Sequence, residues 1–411
     1  MAKPRVSGNF DRATAEPVEL AFAVSEYEAR WTMAKAMMEV DGIDILYATS
    51  PAHMCWLHGY FAAWYRTHAP SNWGACLGTA MALRWDEPIH FDAIGEDPLL
   101  YKTSVAKDLR FFDDRSPEGQ PPFIVRELKK SGLIKPGTRV GLEMRSFQPN
   151  RLVSQSIEAA FREAGCEVVD ASMILRHARR VKSPGELAHV ERAMRICEKA
   201  HEGAQKTIRP GVTELDVEAE MTHAMYHAGG ELSAIPIMIQ SGNTIGGHQM
   251  PRRRKIKSDE HIKIDVCGVY WRYHGNILRG FWTGEPPEKV RDRYRRSAGS
   301  WDVFAKEAKA GRPVREVNAE LRRYYKDCGL AGTNGWCIGY ELGIAMPPDW
   351  VDEFNFSYDE DPPDDVIWEE GFVGNFETLW DTGLIDTFVI EKNGARNLGG
   401  TVPLDMLVCE G

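Results

Sequence analysis

The chain has 411 residues, long enough for two domains that each bury a core of their own. Hydrophobic residues make up 43% and charged residues 27%, the ordinary balance of a soluble globular protein. The net charge of −10 argues against nucleic acid as a partner, which would favour a concentrated basic surface.

The first 178 residues alternate helix and strand. Ser25 to Glu28 reads as the start of an amphipathic helix running to about Val40, with Ser25 as N-cap and Glu28 at the capping-box position. Ile43 to Ala48 is a short apolar strand. Arg139 to Glu143 is another, followed by a helix after Gln148-Pro149-Asn150, and Cys166 to Asp170 is a third strand. This alternation predicts a layered α/β domain over residues 1–178.

A second domain, residues 179–411, begins where Ser183, Pro184 and Glu186 combine an N-cap, a proline in the first turn and a capping-box glutamate. That helix runs to about Thr207. A weak internal repeat follows. Ile208-Arg209-Pro210-Gly211-Val212-Thr213-Glu214 leads into a helix ending at Gly229-Gly230, and Ala310 to Val317 leads into one ending near Gly329. Each is expected to follow a longer helix, as two halves of a pseudo-symmetric domain with a site between them.

Eight cysteines are scattered without a C-x-x-C pair, as reduced thiols would be. No apolar h-region opens the chain, and no run approaches the ~18 apolar residues of a membrane span. The expectation is a cytoplasmic protein with no membrane or nucleic-acid partner. Arg252 to Lys255 form the one basic run, read as a solvated loop rather than a phosphate-binding patch.

The densest chemistry lies between Asp265 and Arg279. Asp265 sits in an apolar strand, where an unpaired carboxylate would be costly, so it needs a cation, a hydrogen-bond network or a function. A buried pairing with Arg279 or His274 would also satisfy it. His248, after Gly246-Gly247, is either a surface loop residue or a base near neutral pH.

Asp265 followed eleven residues later by Asn276 before Ile-x-Arg resembles the creatinase, prolidase and methionine-aminopeptidase family, the "pita-bread" fold. Three segments resemble its ectoine-hydrolase and creatinase branches: Arg272-Tyr273-His274 with Arg279, Gly339 to Trp350 with its Pro-Pro-Asp-Trp ending, and Phe372 to Gly394. The resemblance implies a creatinase-like α/β domain followed by a pita-bread domain. At the family's five metal positions (Asp, Asp, His, Glu, Glu) this chain has Asp265, Asn276, Tyr340, Glu377 and Ile385. Two carboxylates among those five cannot satisfy a binuclear site, so no metal and no cofactor is expected.

The resemblance also implies roles. His248, seventeen residues before Asp265, matches the catalytic base of creatinase, though its His-x-x-Pro differs by one residue from the creatinase spacing. Asp265 and Glu377 would hold a cation or attack it. Tyr340, His274, Asn276 and Arg279 would bind substrate. Trp64, within an aromatic stretch from Trp56 to Trp73, would cover the substrate across a homodimer interface, although most of that stretch reads as core. The implied activity is metal-independent hydrolysis of a C–N bond in a small zwitterionic or cationic amidine or guanidine, ectoine-like before creatine-like. A metal-dependent Xaa-Pro peptidase, a dimethylsulfoniopropionate lyase and a non-catalytic binding protein of the same fold are the alternatives.

Overall fold

The structure is a computed structural model that describes residues 19–62, 65, 77–112, 118–242, 247–380 and 382–411. It separates into two compact units, Met1–Ala178 and Arg179–Gly411.

The first unit carries helices α1 (Val24–Val40), α2 (Pro51–His58), α3 (Asp97–Thr103), α4 (Gln120–Lys130), α5 (Arg151–Glu163) and α6 (Ser172–Arg180), the last ending just past the boundary. Its strands are β1 (Ile45–Ala48), β2 (Gly78–Ala82), β3 (Ile89–Asp92), β4 (Asp108–Phe111), β5 (Arg139–Leu142) and β6 (Glu167–Asp170), ordered β4-β3-β2-β1-β5-β6 in one mixed sheet. On α5, Val153, Ile157 and Phe161 recur every fourth residue and are its buried side chains, so this stripe faces the core. Asn150 caps α5 by accepting from the Val153 N–H. Ser25 does not cap α1. The helix starts two residues earlier than that cap would set, at Val24, with Ala23 as N-cap and no side-chain cap.

The second unit is built on helices α7 (Pro184–Thr207), α8 (Glu214–His227), α9 (Glu288–Ala298), α10 (Ser300–Glu307) and α11 (Val314–Asp327). Its strands are β7 (Met238–Ser241), β8 (His261–Tyr270), β9 (Tyr273–Thr283), β10 (Trp336–Tyr340), β11 (Asn355–Ser357), β12 (Val373–Trp380), β13 (Thr382–Glu391), β14 (Gly394–Asn397) and β15 (Leu407–Cys409). The Ser183–Glu186 capping box forms in full at the start of α7.

The sheet order β11-β10-β12-β13-β9-β8-β7 is near-symmetric about the β13–β9 pair. Hairpin β8–β9 corresponds to hairpin β12–β13, with β7 outside the first and β10 outside the second. The repeat appears in the turns as well. Gly211 N–H donates to the Ile256 carbonyl at 2.9 Å, and Gly311 N–H donates to the Trp368 carbonyl at 2.8 Å. Isolated bridges at Thr213–Lys255 and Pro313–Ile367 follow each turn. The symmetry fails in one respect. Whereas α7 is a continuous helix of 24 residues, its counterpart is broken at Gly299 into α9 and α10. A Cβ at Gly299 would stand 2.2 Å from the Tyr324 hydroxyl, so α11 packs closely against that break.

Helices cover one face of this sheet. Gly268 and Gly275 are cross-strand partners, and a Cβ on Gly268 would lie 2.0 Å from the Ala193 carbonyl oxygen of α7. On β12, Phe376 stacks on Phe304 of α10 at 4.6 Å. Side chains alternate along a strand, so Lys263, Asp265 and Cys267 on β8, Asn276 and Leu278 on β9, Asn375 and Glu377 on β12 and Ile385 on β13 share the opposite face.

Candidate active site

Register brings that opposite face together. Asp265 pairs with Leu278, Cys267 with Asn276, Leu278 with Ile385, and Glu377 with Ile385. A hydrogen-bonded chain of side chains then links the two carboxylates. Tyr340 N–H donates to Asn375 Oδ1 at 2.8 Å, so that atom must be the amide oxygen. Asn375 Nδ2 therefore donates, to Glu377 Oε1 at 2.8 Å and to Asn276 Oδ1 at 3.2 Å. With its oxygen committed there, Asn276 turns its NH2 to Asp265 Oδ1 at 2.8 Å and to the Val266 carbonyl at 3.2 Å. A backbone N–H thus fixes both amide orientations. The Thr387 hydroxyl holds the Asn276 backbone, accepting from its N–H at 2.8 Å and donating to its carbonyl at 3.0 Å.

At the far end, Trp350 Nε1–H donates to the Tyr340 hydroxyl oxygen at 2.9 Å. The Tyr340 proton is then free to go to Glu377, a bond that draws the Glu377 carboxyl back toward ionisation. Burial and the neighbouring Asp265 charge win over it and push Glu377 up to about 8. Burial also raises Asp265, opposed by the Asn276 hydrogen bond, by the Lys263 ammonium and by the nearby His248. Near neutral pH Glu377 therefore keeps its proton. Tyr340 is raised well above the phenol range by burial and the two acids, so it stays protonated.

Lys263 shares the β8 face with Asp265, and burial lowers its ammonium against the raising effect of Asp265 and Glu377. Sequence reasoning missed it, as it missed Asn375. The signal was there in both cases, since each lies two residues from a carboxylate on one strand.

Other expected residues sit differently. His248 is exposed and close enough to Asp265 for its charge to be felt there. His274 shares the Asn276 face, but both ring nitrogens are taken. Nδ1 donates to the Arg272 carbonyl at 2.8 Å, and Nε2 accepts from Ala234 N–H at 3.1 Å. Arg279 was expected to bind substrate and does not lie on the site face. Three residues beyond Asn276, it points to the helical side, where all five N–H groups are used. They go to Asp386 (2.9 and 3.0 Å) and to the carbonyls of Pro403, Leu278, Ile385 and Val402. Asp265 is therefore paired with Asn276, not with Arg279 or His274. The basic run is not simply solvated, because Arg252 binds the buried Glu214 and Arg254 binds Glu260. Trp64 and Trp73 lie outside the described residues. Trp56, Tyr60 and Tyr65 are buried.

The family's metal pair does not fit these residues. Ile385, fully apolar, occupies the fifth ligand position beside Glu377. Asn276 turns an N–H toward Asp265, where a cation would need a lone pair, and its other N–H goes to the Val266 carbonyl. Its oxygen is engaged by Asn375, and Tyr340 presents a protonated phenol in place of an imidazole.

Residues 188–396 match the metallopeptidase family M24. Ectoine hydrolase from Halomonas elongata is 23% identical over 410 residues, covering 93% of this chain and 97% of that protein. An Xaa-Pro dipeptidase from Pyrococcus furiosus is 25% identical over 235 residues, covering 56% of this chain and 65% of its own length. Among solved structures, an Xaa-Pro dipeptidase from Bacillus anthracis aligns with TM-score 0.74 at 18% identity over 93% of this chain and 99% of that one. A prolidase from Thermococcus sibiricus aligns with TM-score 0.75 at 15% identity, over 93% and 99%. With its two-unit α/β build and near-symmetric second sheet, the chain has the pita-bread fold and belongs to the metallopeptidase family M24.

Proposed function

We propose that this M24 protein hydrolyses a C–N bond in a small zwitterionic or cationic amidine- or guanidine-type compound, ectoine-like before creatine-like, without a metal ion. One observation carries the reading. The two surviving carboxylates are joined by amides whose N–H groups face the acids, which supports one organic cation as the occupant over two metal ions. With Glu377 neutral and Asp265 ionised, the two acids would carry a single negative charge, which matches one amidinium. Lys263 adds a positive charge on the same face and suits the carboxylate of a zwitterion.

In this mechanism Asp265 holds the amidinium, whose positive charge makes its carbon electrophilic. His248 takes a proton from water as the oxygen bonds to that carbon, and the C=N electron pair moves onto nitrogen. A lone pair of the new hydroxyl oxygen then forms the carbonyl as the C–N bond breaks. The neutral Glu377 gives its proton to the departing nitrogen and takes the hydroxyl proton in return, and the proton on His248 passes to the freed amine. Tyr340 steadies Glu377 as its charge appears. Peptidase activity on Xaa-Pro dipeptides is the second reading, supported by the Xaa-Pro dipeptidase relatives and opposed by the donor set.

The test is a thermal-shift panel of metal-stripped protein with ectoine, hydroxyectoine, creatine and Ala-Pro. Stabilisation by a cyclic amidine or a guanidine, with product found by mass spectrometry, is the expected result. Stabilisation by Ala-Pro alone sinks the reading.

A further inference from the structure

The residue before His248 is held by two strands at once. Gly247 has a left-handed backbone, φ +64°, and its carbonyl oxygen accepts from Gln240 Nε2 on β7 at 2.8 Å and from Lys263 Nζ on β8 at 3.3 Å. Gln240 and Lys263 are directly opposed Cα partners in the antiparallel β7–β8 ladder, so both side chains leave the same face of the sheet. Asp265 leaves that face two residues further along β8. Gln240 is buried, so its amide would lose a hydrogen bond if Gly247 moved away. Gly247 itself is exposed and has open space around the position of a Cβ.

We propose that Gln240 and Lys263 form a latch on the Gly247 carbonyl that positions the His248 imidazole over the Asp265–Glu377 pair. Both are positioning residues for the reaction, and the catalytic part of the inference rests on His248 being the base proposed above. The latch itself does not depend on that. An exposed loop histidine would otherwise sample many orientations, and holding its neighbouring peptide confines it to those within reach of bound substrate. Gln240 is the cleaner handle, because it carries no charge and Lys263 also acts on the two acids.

The experiment compares the full-length protein with Gln240→Leu, Lys263→Met and Lys263→Arg. Hydrogen exchange is followed across residues 247–251, and ectoine turnover is measured in parallel. The latch predicts at least tenfold faster exchange of that segment in Gln240→Leu and Lys263→Met. It also predicts partial recovery in Lys263→Arg, and a lowered kcat with little change in KM in Gln240→Leu. Unchanged exchange in Gln240→Leu overturns the latch, even if turnover falls. His248→Asn separates the two claims. If that variant turns over ectoine as fast as the parent while Gln240→Leu still loosens the segment, the latch stands and the proposed base is wrong.

Discussion

Asn276 donates to Asp265 across the β8–β9 hairpin at 2.8 Å, in the place where the metal-dependent pattern of this fold would put a second carboxylate against the first. An amide N–H there removes a charge and adds a donor. The same substitution that weakens any metal site leaves Asp265 ionisable and aimed into the site face.

Asn276→Asp should therefore be costly at neutral pH. It sets a second carboxylate against Asp265 and loses the N–H that Asp265 accepts. We expect a loss of at least about 1–3 kcal/mol by urea unfolding at pH 7. The loss should shrink as the pH falls and the carboxyls protonate. Unaltered stability at pH 7 would mean that a cation compensates the new charge.

Glu377 links stability to pH. Its carboxyl is raised from 4.5 to about 8 in the folded chain, so between those values the folded state holds a proton that the unfolded state has released. The contribution of the neutral acid is fully present below pH 4.5, and it is lost as pH rises through about 8. Relative to Glu377→Gln, the parent should lose several kcal/mol of stability across that window. Parallel pH profiles for the two proteins would show that Glu377 is ionised at neutral pH.

Arg279 is bound on all sides within the helical face, so its role is structural. Arg279→Met leaves Asp386 buried without its partner and should cost about 3–5 kcal/mol in chemical unfolding. Adding Asp386→Asn should recover part of that loss. Folded Arg279→Met protein with a sharply raised KM and unchanged stability would return Arg279 to the substrate site.

His248→Asn keeps the size of the side chain and removes the base. Turnover of the substrate found in the panel should fall about 10²–10⁴-fold with KM little changed, as read by steady-state kinetics. A fall of less than threefold would remove His248 from the chemistry.

Much of this arrangement was legible in the sequence. The Ser183–Glu186 box forms as its residue types require, and an acid in an apolar strand marked Asp265 as part of a polar network. The repeat was visible in the two proline-glycine turns, and the structure shows it again in their matching backbone bonds. What the sequence hid depends on distant partners. Arg279 meets Asp386 across 107 residues, and the nitrogens of His274 are claimed by backbone groups that no spacing reveals. Lys263 and Asn375 were hidden for a different reason. Attention to single acids passed over the period-two neighbours that share their face. Local propensity also misled at α1, where Ser25 is a good cap by type but lies inside the first turn.

The most direct test of the central claim is turnover of ectoine and creatine by protein purified in chelator, before and after adding Mn²⁺, Fe²⁺ or Zn²⁺. The account predicts product without metal, no increase on adding it, and loss of activity in Asp265→Asn. Activity that is absent in chelator and restored by a divalent ion would contradict it, and would make the site a metal centre despite Asn276, Tyr340 and Ile385.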